Sequence, residues 1–335
     1  MQEAVLIITA FLVAAFGSII GAGGGFLLMP VLLLMYPGDP QQKLTFISLF
    51  AVLVNAVTAA FNYARQGRID YRSALLLGVC TIPTSILARL AGDHVDRRHF
   101  SAIFAGVLMA IALFILWRVR RTGETGWHQT PIRPGWWRRQ ITDASGATFT
   151  YGYNVRTGIG VSLVEGFIAS FFGIGGGILH MPVMTQLLHF PPHIAAATSI
   201  LVLATGALAA VATDVVRHGT DLPIALALLA GVGGFLGAQV GTRIARRITG
   251  RKLLYLLAIA LAAAGVRLFF QKAPPTAPPR PDRADPICRS QVTPRRRGCY
   301  DTFVRPRTAA PARRPTPFGS RLERSREEGC CPATV

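Results

Sequence analysis

The stretch from Ala4 to Tyr36 runs for 33 residues without a charge, and Gly21-Ala22-Gly23-Gly24-Gly25 interrupts its middle. A straight helix of that length would extend roughly 50 Å at about 1.5 Å per residue. The hydrocarbon slab of a bilayer is only about 30 Å thick. Consecutive glycines weaken a helix, each by about 1 kcal/mol relative to alanine, and Pro30 removes a further backbone donor. The pattern predicts two half-helices meeting at an unwound turn. Non-helical backbone at membrane depth survives only where it is buried in protein or lines a cavity, so the turn is a candidate binding site.

The feature occurs twice. Gly173-Ile174-Gly175-Gly176-Gly177 is followed by Pro182, and a constant offset of 152 carries Ser18 to Ser170, Gly21 to Gly173 and Pro30 to Pro182. A match this long indicates a duplicated half rather than a solenoid unit. Eight apolar segments follow, at 4–36, 44–63, 73–91, 100–117, 157–188, 193–216, 223–244 and 251–270. The expected fold is all-α: a polytopic helical membrane protein of two homologous four-segment repeats, with the first and fifth segments broken at glycine. The repeats occupy 1–118 and 157–270, a basic central loop occupies 119–156, and a Pro/Arg-rich tail occupies 271–335. The tail has too little apolar surface to offset ordering and is expected to be disordered. Residues 1–3 lack a basic run, so the first apolar segment is expected to stay in the mature fold.

Charge orients the chain. The net charge of +19 invites a nucleic-acid reading, but fourteen of the 35 basic residues lie after Gln271 with six acids, and no soluble domain offers a basic face. If all eight segments crossed fully, loop lysines and arginines would divide 11 to 9 between the two sides. If segments one and five return to the face they entered from, Lys43, Arg89, Arg97, Arg98 and Arg217 share one side and 15 others share the opposite side. Cytoplasmic loops carry the basic excess, so the charges favour re-entrant first and fifth segments, an inverted repeat and a cytoplasmic central loop. That loop, with Trp127, Trp136 and Trp137, is expected to be a linker resting on the membrane surface.

Half-helices that meet at a turn present unpaired N–H groups and dipole ends, and glycine lets a ligand approach the backbone. The candidate substrate-binding residues are Gly21, Gly23, Gly24, Gly25 and Pro30 at the first break, and Gly173, Gly175, Gly176, Gly177 and Pro182 at the second. Ser48, Thr198 and Ser199, on the segments that follow, add hydroxyls. The plainer alternative is that the glycines serve tight helix crossing and the hydroxyls bond their own helices. Glu165, an acid in an apolar run, is a candidate coupling group, although it lies only nine residues after Arg156 and so stands near a segment end. His180, before Met181-Pro182, is a second candidate, or else a group that bridges helices. Asn62 and Asp214 read as loop anchors, Asp70 and Asp221 as turn formers, and the small-residue third segments as packing helices. No nucleophile elbow, phosphate loop or metal-ligand spacing is present, so neither an enzyme nor a cofactor is expected.

These residues resemble the TauE/SafE family of sulfite exporters, also called the toluene sulfonate uptake permease family. The likeness rests on the two Gly-x-Gly-Gly-Gly runs with their prolines, on Thr198-Ser199, on Gly219-x-Asp221 and on the glycine-rich seventh segment. It implies transport of small sulfur-containing anions (sulfite, sulfonates, sulfoacetate or thiosulfate) across the bacterial inner membrane. With no nucleotide-binding domain in sight, a proton gradient is the expected drive, and a homodimer is left open. A channel-like anion pore and a non-transporting scaffold are the alternatives.

Overall fold

The computed structural model describes residues 2–92, 95, 97–121, 134–144, 146–175, 177–245, 259 and 262–263. The eighth apolar segment at 251–270, apart from three of its residues, the tail at 271–335, and Gly176 lie outside them. Nine α-helices are described: α1 (Gln2–Ile20), α2 (Gly25–Met35), α3 (Gln41–Ala64), α4 (Tyr71–Gly92), α5 (Arg97–Arg121), α6 (Val155–Phe171), α7 (Gly177–Gln186), α8 (Pro192–His218) and α9 (Ile224–Ala245). Five of them (α1, α3, α4, α8 and α9) are long and apolar enough to span a bilayer. The chain is a polytopic helical membrane protein.

Both glycine runs interrupt helix where the sequence requires it. The first separates α1 from α2 and the second separates α6 from α7. Gly24 takes φ 82° and its carbonyl accepts from Leu27 and Leu28, so α2 starts on a left-handed residue that only glycine adopts freely. A Cβ on Gly24 would lie 2.6 Å from the Val13 carbonyl oxygen, so the chain has doubled back against α1.

Small residues let the helices close. A Cβ on Gly233, Gly237 or Gly241 of α9 would come within 2.3–2.6 Å of the carbonyl oxygens of Ile7, Phe11 and Ala15 on α1. Both series advance by four, so α1 and α9 run side by side in the same direction. This is the packing role expected of the glycine-rich third segments. In the same way α4 lies along α6, where Gly166 meets Thr81 and Thr84.

The central connection is more than a linker. Residues 134–144 and 146–153 include a β-hairpin, β1 (Trp137–Thr142) paired antiparallel with β2 (Thr148–Tyr153). Its exposure alternates, with Arg138, Gln140 and Thr142 outward, while Tyr151 and Tyr153 are buried. The expectation of a loop spread on the membrane surface is corrected here: Trp137 packs on Tyr153, and both tyrosines sandwich against Phe190 between α7 and α8. Trp127 and Arg133 lie outside the described residues.

The close α1–α9 contact predicts that Gly237→Val strains the bundle by about 1–3 kcal/mol, read as a lower Tm in detergent. Gly106→Val on α5, where a new Cβ meets nothing within 4 Å, should leave Tm nearly unchanged.

Candidate functional site

The two breaks share their local bonding. Ala22 and Gly23 donate to the Gly17 carbonyl, and Ile174 and Gly175 donate to the Ala169 carbonyl, each bond displaced by 152 residues. Gly21, Gly23, Gly173 and Gly175 all have φ between 70° and 83°. Each break is held by the helix that follows the other one. Ser48 Oγ on α3 donates to the Gly173 carbonyl at 2.7 Å, and Ser199 Oγ on α8 donates to the Gly21 carbonyl at 3.0 Å. Gly23 lies against Leu203 and Gly175 against Val52, while Gly25 faces the Ile174 carbonyl and Gly177 faces Ala22. This exchange of partners is what a two-fold relation between the breaks would produce.

The breaks therefore touch, with no room between them in this conformation. Ser48 and Ser199 use their hydroxyl protons on carbonyls of the opposite break, neither purely on their own helices nor free for a ligand. Thr198, although next to Ser199, accepts from the Asp70 backbone N–H at 3.1 Å and so faces the α3–α4 connection. Pro30 and Pro182 lie inside α2 and α7. Ser18 donates to Asn55, whose amide bridges the Ala14 and Gly234 carbonyls.

A small cavity lies beside each break, with room for about one water. The first-break cavity is lined by Ala10, Val13, Ala14, Leu28, Ala51 and Val52 with backbone of Gly23–Gly25, and is apolar in its side chains. The second-break cavity is lined by Thr81, Ser85, Glu165, Ser170, Gly175, Val202 and Leu203. Glu165 is 2% exposed, so the structure places it inside the bundle and not at a segment end. Its Oε2 is hydrogen-bonded to His180 Nδ1. Among the described residues, Glu165 Oε1, His180 Nε2 and the nearby Ser162 Oγ have no hydrogen-bond partner. Burying such atoms unpaired is costly. The offset of 152 puts Val13, Leu28 and Ala10 at the equivalent places in the first half, so polarity is concentrated on one side.

Two further charged contacts escaped the sequence reading. Asp214 is not a loop anchor: its Oδ1 accepts from Arg89 Nε at 2.8 Å, with both side chains buried. Asp70 does start a turn, capping α4 through the Ser73 N–H, but it also accepts from Arg139 Nε and Nη2 at 2.9 and 2.6 Å and from the Tyr151 hydroxyl at 2.8 Å. Tyr153 donates to Ser73 Oγ, and the Ala144 N–H to the Gln66 carbonyl, completing the dock of the hairpin. Burial pushes the Asp70 carboxyl up, but the bonds from Arg139, Ser73 and Tyr151 outweigh it and hold its pKa below the usual range. Burial, assisted by the Asp70 charge, pushes the Tyr151 phenol far above its ordinary value, and burial raises Tyr153 to about 12. The available signal was the period-two run Trp137-x-Arg139-x-Ile141 answered by Phe149-x-Tyr151-x-Tyr153 across Asp143-Ala-Ser-Gly146.

A helical bundle with two interlocked broken segments and five helices long and apolar enough to span a bilayer defines a multi-pass membrane protein, and its family and relatives make it one of the transporter class. Residues 6–268 match the family model for the sulfite exporter TauE/SafE, and the chain belongs to that family. It is 25% identical over 277 residues to the probable membrane transporter protein YunE of Bacillus subtilis, covering 81% of this chain and 98% of that one. A probable membrane transporter protein of Xylella fastidiosa is 27% identical over 254 residues, covering 75% of this chain and 88% of its own length. A third such protein, ORF9 of a Sinorhizobium species, is 27% identical over 277 residues, with 83% and 95% coverage. No solved structure matches.

Because the folded Asp70 pKa is depressed, its contribution to docking is full at neutral pH and is lost as pH falls through that lowered value. Hydrogen exchange across 137–153, corrected for intrinsic rates, should stay slow at neutral pH and accelerate only in acid. Asp70→Asn should speed it about tenfold or more at neutral pH, as expected for loss of charge-assisted bonds.

Proposed function

We propose that the protein is a secondary transporter that moves a small sulfur-containing anion, such as sulfite, a sulfonate, sulfoacetate or thiosulfate, across the bacterial inner membrane in step with protons. The observation that carries this reading is the buried Glu165–His180 pair, with unpaired Oε1 and Nε2, next to the second glycine break. With one proton between them the pair is neutral overall. A second proton gives it a positive charge that offsets an incoming oxoanion in a medium where unpaired charge is expensive. Proton and anion then enter together, and neither is retained alone.

The anion's remaining donors are the backbone and hydroxyl groups around Gly175, Gly177, Ser170, Thr81 and Ser85, reached when the breaks separate. The paired glycine runs give the site its backbone access, and Gly21, Gly23, Gly24, Gly25 and Gly176 belong to the same machinery. Ser48 and Ser199 act as latches between the breaks, and releasing them opens the site. An inverted relation between the halves is supported by helix direction. Contacts 78–205 and 89–214 set α4 parallel to α8, while 55–234 and 62–242 set α3 parallel to α9. Consecutive spans cross in opposite senses, so α3 and α8 run oppositely. The basic excess favours a cytoplasmic central hairpin.

The test is uptake of radiolabelled sulfite, thiosulfate and a sulfonate into proteoliposomes, with and without a proton gradient. Saturable uptake of one anion, accelerated by the gradient, is the expected result. Gly24→Val and Gly176→Val should abolish it while leaving membrane insertion intact. Non-saturating flux indifferent to pH would instead support a pore.

A further inference from the structure

We infer that substrate passes along one seam only, that between α4 and α8, and that buried side-chain locks close this seam at both ends. The inference rests on the transporter reading and adds where the path runs and what shuts it.

The seam is defined by contacts that keep step along both helices. At one end the Asp70 N–H bonds Thr198, and at the other Arg89 pairs with Asp214. Between them Gly78 meets Thr205, and Gly206 meets Thr81 and Ser85. The polar cavity with Glu165 lies between these ends, lined from both helices. Along α4, Asp70 lies about three to four helical turns from the cavity's Thr81 and Ser85, and Arg89 about one to two turns, toward opposite ends of a span. The first lock is the docked hairpin, where Arg139 and Tyr151 close on Asp70. The second is Arg89–Asp214, whose side chains are 3% and 2% exposed.

The opposite seam, between α3 and α9, has the same frame, and among the described residues no ion pair joins those two helices. Gly231 meets Val54 as Gly78 meets Thr205, with the glycines 153 apart and their partners 151 apart. Asn62, which the offset of 152 pairs with Asp214, donates to Thr242 at 3.0 Å. A neutral hydrogen bond thus stands where the ion pair stands on the other side. The first-break cavity between those ends is apolar in its side chains. Two seams of one design therefore differ in charged locks and in a polar chamber, and both differences fall on the same seam. A neutral pair suffices to hold the helices together, as α3–α9 shows, so packing alone does not require Arg89–Asp214. Desolvated ion pairs are weak sources of stability but strong two-state elements, held when paired and released when hydrated. Alternating access follows when one lock opens while the other stays shut.

The test is labelling of a cysteine in the chamber by a membrane-impermeant maleimide. It uses Ser85→Cys in the full-length chain with its five native cysteines replaced by serine, in vesicles of each orientation. The double variant R89T/D214N transplants the neutral pair of the other seam and so should fold. It is expected to raise labelling about tenfold from the Arg89 face alone, a shift in population of one decade. Asp70→Asn is expected to raise it from the hairpin face alone. The control N62A/T242V should change neither. Unchanged labelling in both lock variants, or an equal rise from both faces, would overturn the inference. Labelling needs no substrate, so a null flux assay with sulfur anions would count against the transport reading and leave this result standing on its own.

Discussion

A membrane interior supplies no water to backbone groups that leave a helix, so every carbonyl freed at a glycine break must find a partner inside the protein. Much of this fold follows from that constraint. The turn at Gly21 is satisfied by Ser199 and the turn at Gly173 by Ser48, each hydroxyl coming from the helix that follows the opposite break. Neither broken segment is satisfied alone. Glycine at the tips then permits contact close enough that a single methyl group would collide with backbone, as at Gly25 against the Ile174 carbonyl.

Interlocking has a functional side. Two elements that satisfy each other's polar groups have a discrete closed arrangement, and in the proposed mechanism separating them frees the Ser48 and Ser199 hydroxyls to donate to an anion. The chamber beside the second break is lined by a carboxylate, itself bonded to the His180 imidazole, where the first has valine. A shared frame has thus been given unequal chemistry. The symmetric parts support the structure, and the asymmetric parts are where the proposed coupling lies.

Much of this was legible in the sequence. The broken first and fifth segments, their prolines and the glycine stripe of α9 followed from uncharged length and from glycine spacing, which are local properties. Glu165 and His180 stood out as polar residues in apolar runs, but their contact is across a break and could not be read from a separation of fifteen residues. Arg89–Asp214 was invisible because its partners are 125 positions apart. Asp70 looked like a turn former because its capping bond to Ser73 is local, while its partner Arg139 comes from another element. Charges and tryptophans mark 119–156 as a linker, whereas Trp137 to Tyr153 also carries the period-two pattern and a turn that make the hairpin. Thr198 and Ser199 are adjacent in sequence, yet neighbours on a helix point about 100° apart, and the Thr198 hydroxyl serves Asp70 instead.

The coupling role of Glu165 is the central claim, and Glu165→Gln in proteoliposomes tests it most directly, by comparing anion counterflow without a gradient and net uptake with one. Counterflow is expected to persist while acceleration by an imposed proton gradient disappears. Gradient-driven uptake that survives intact in the variant would contradict it.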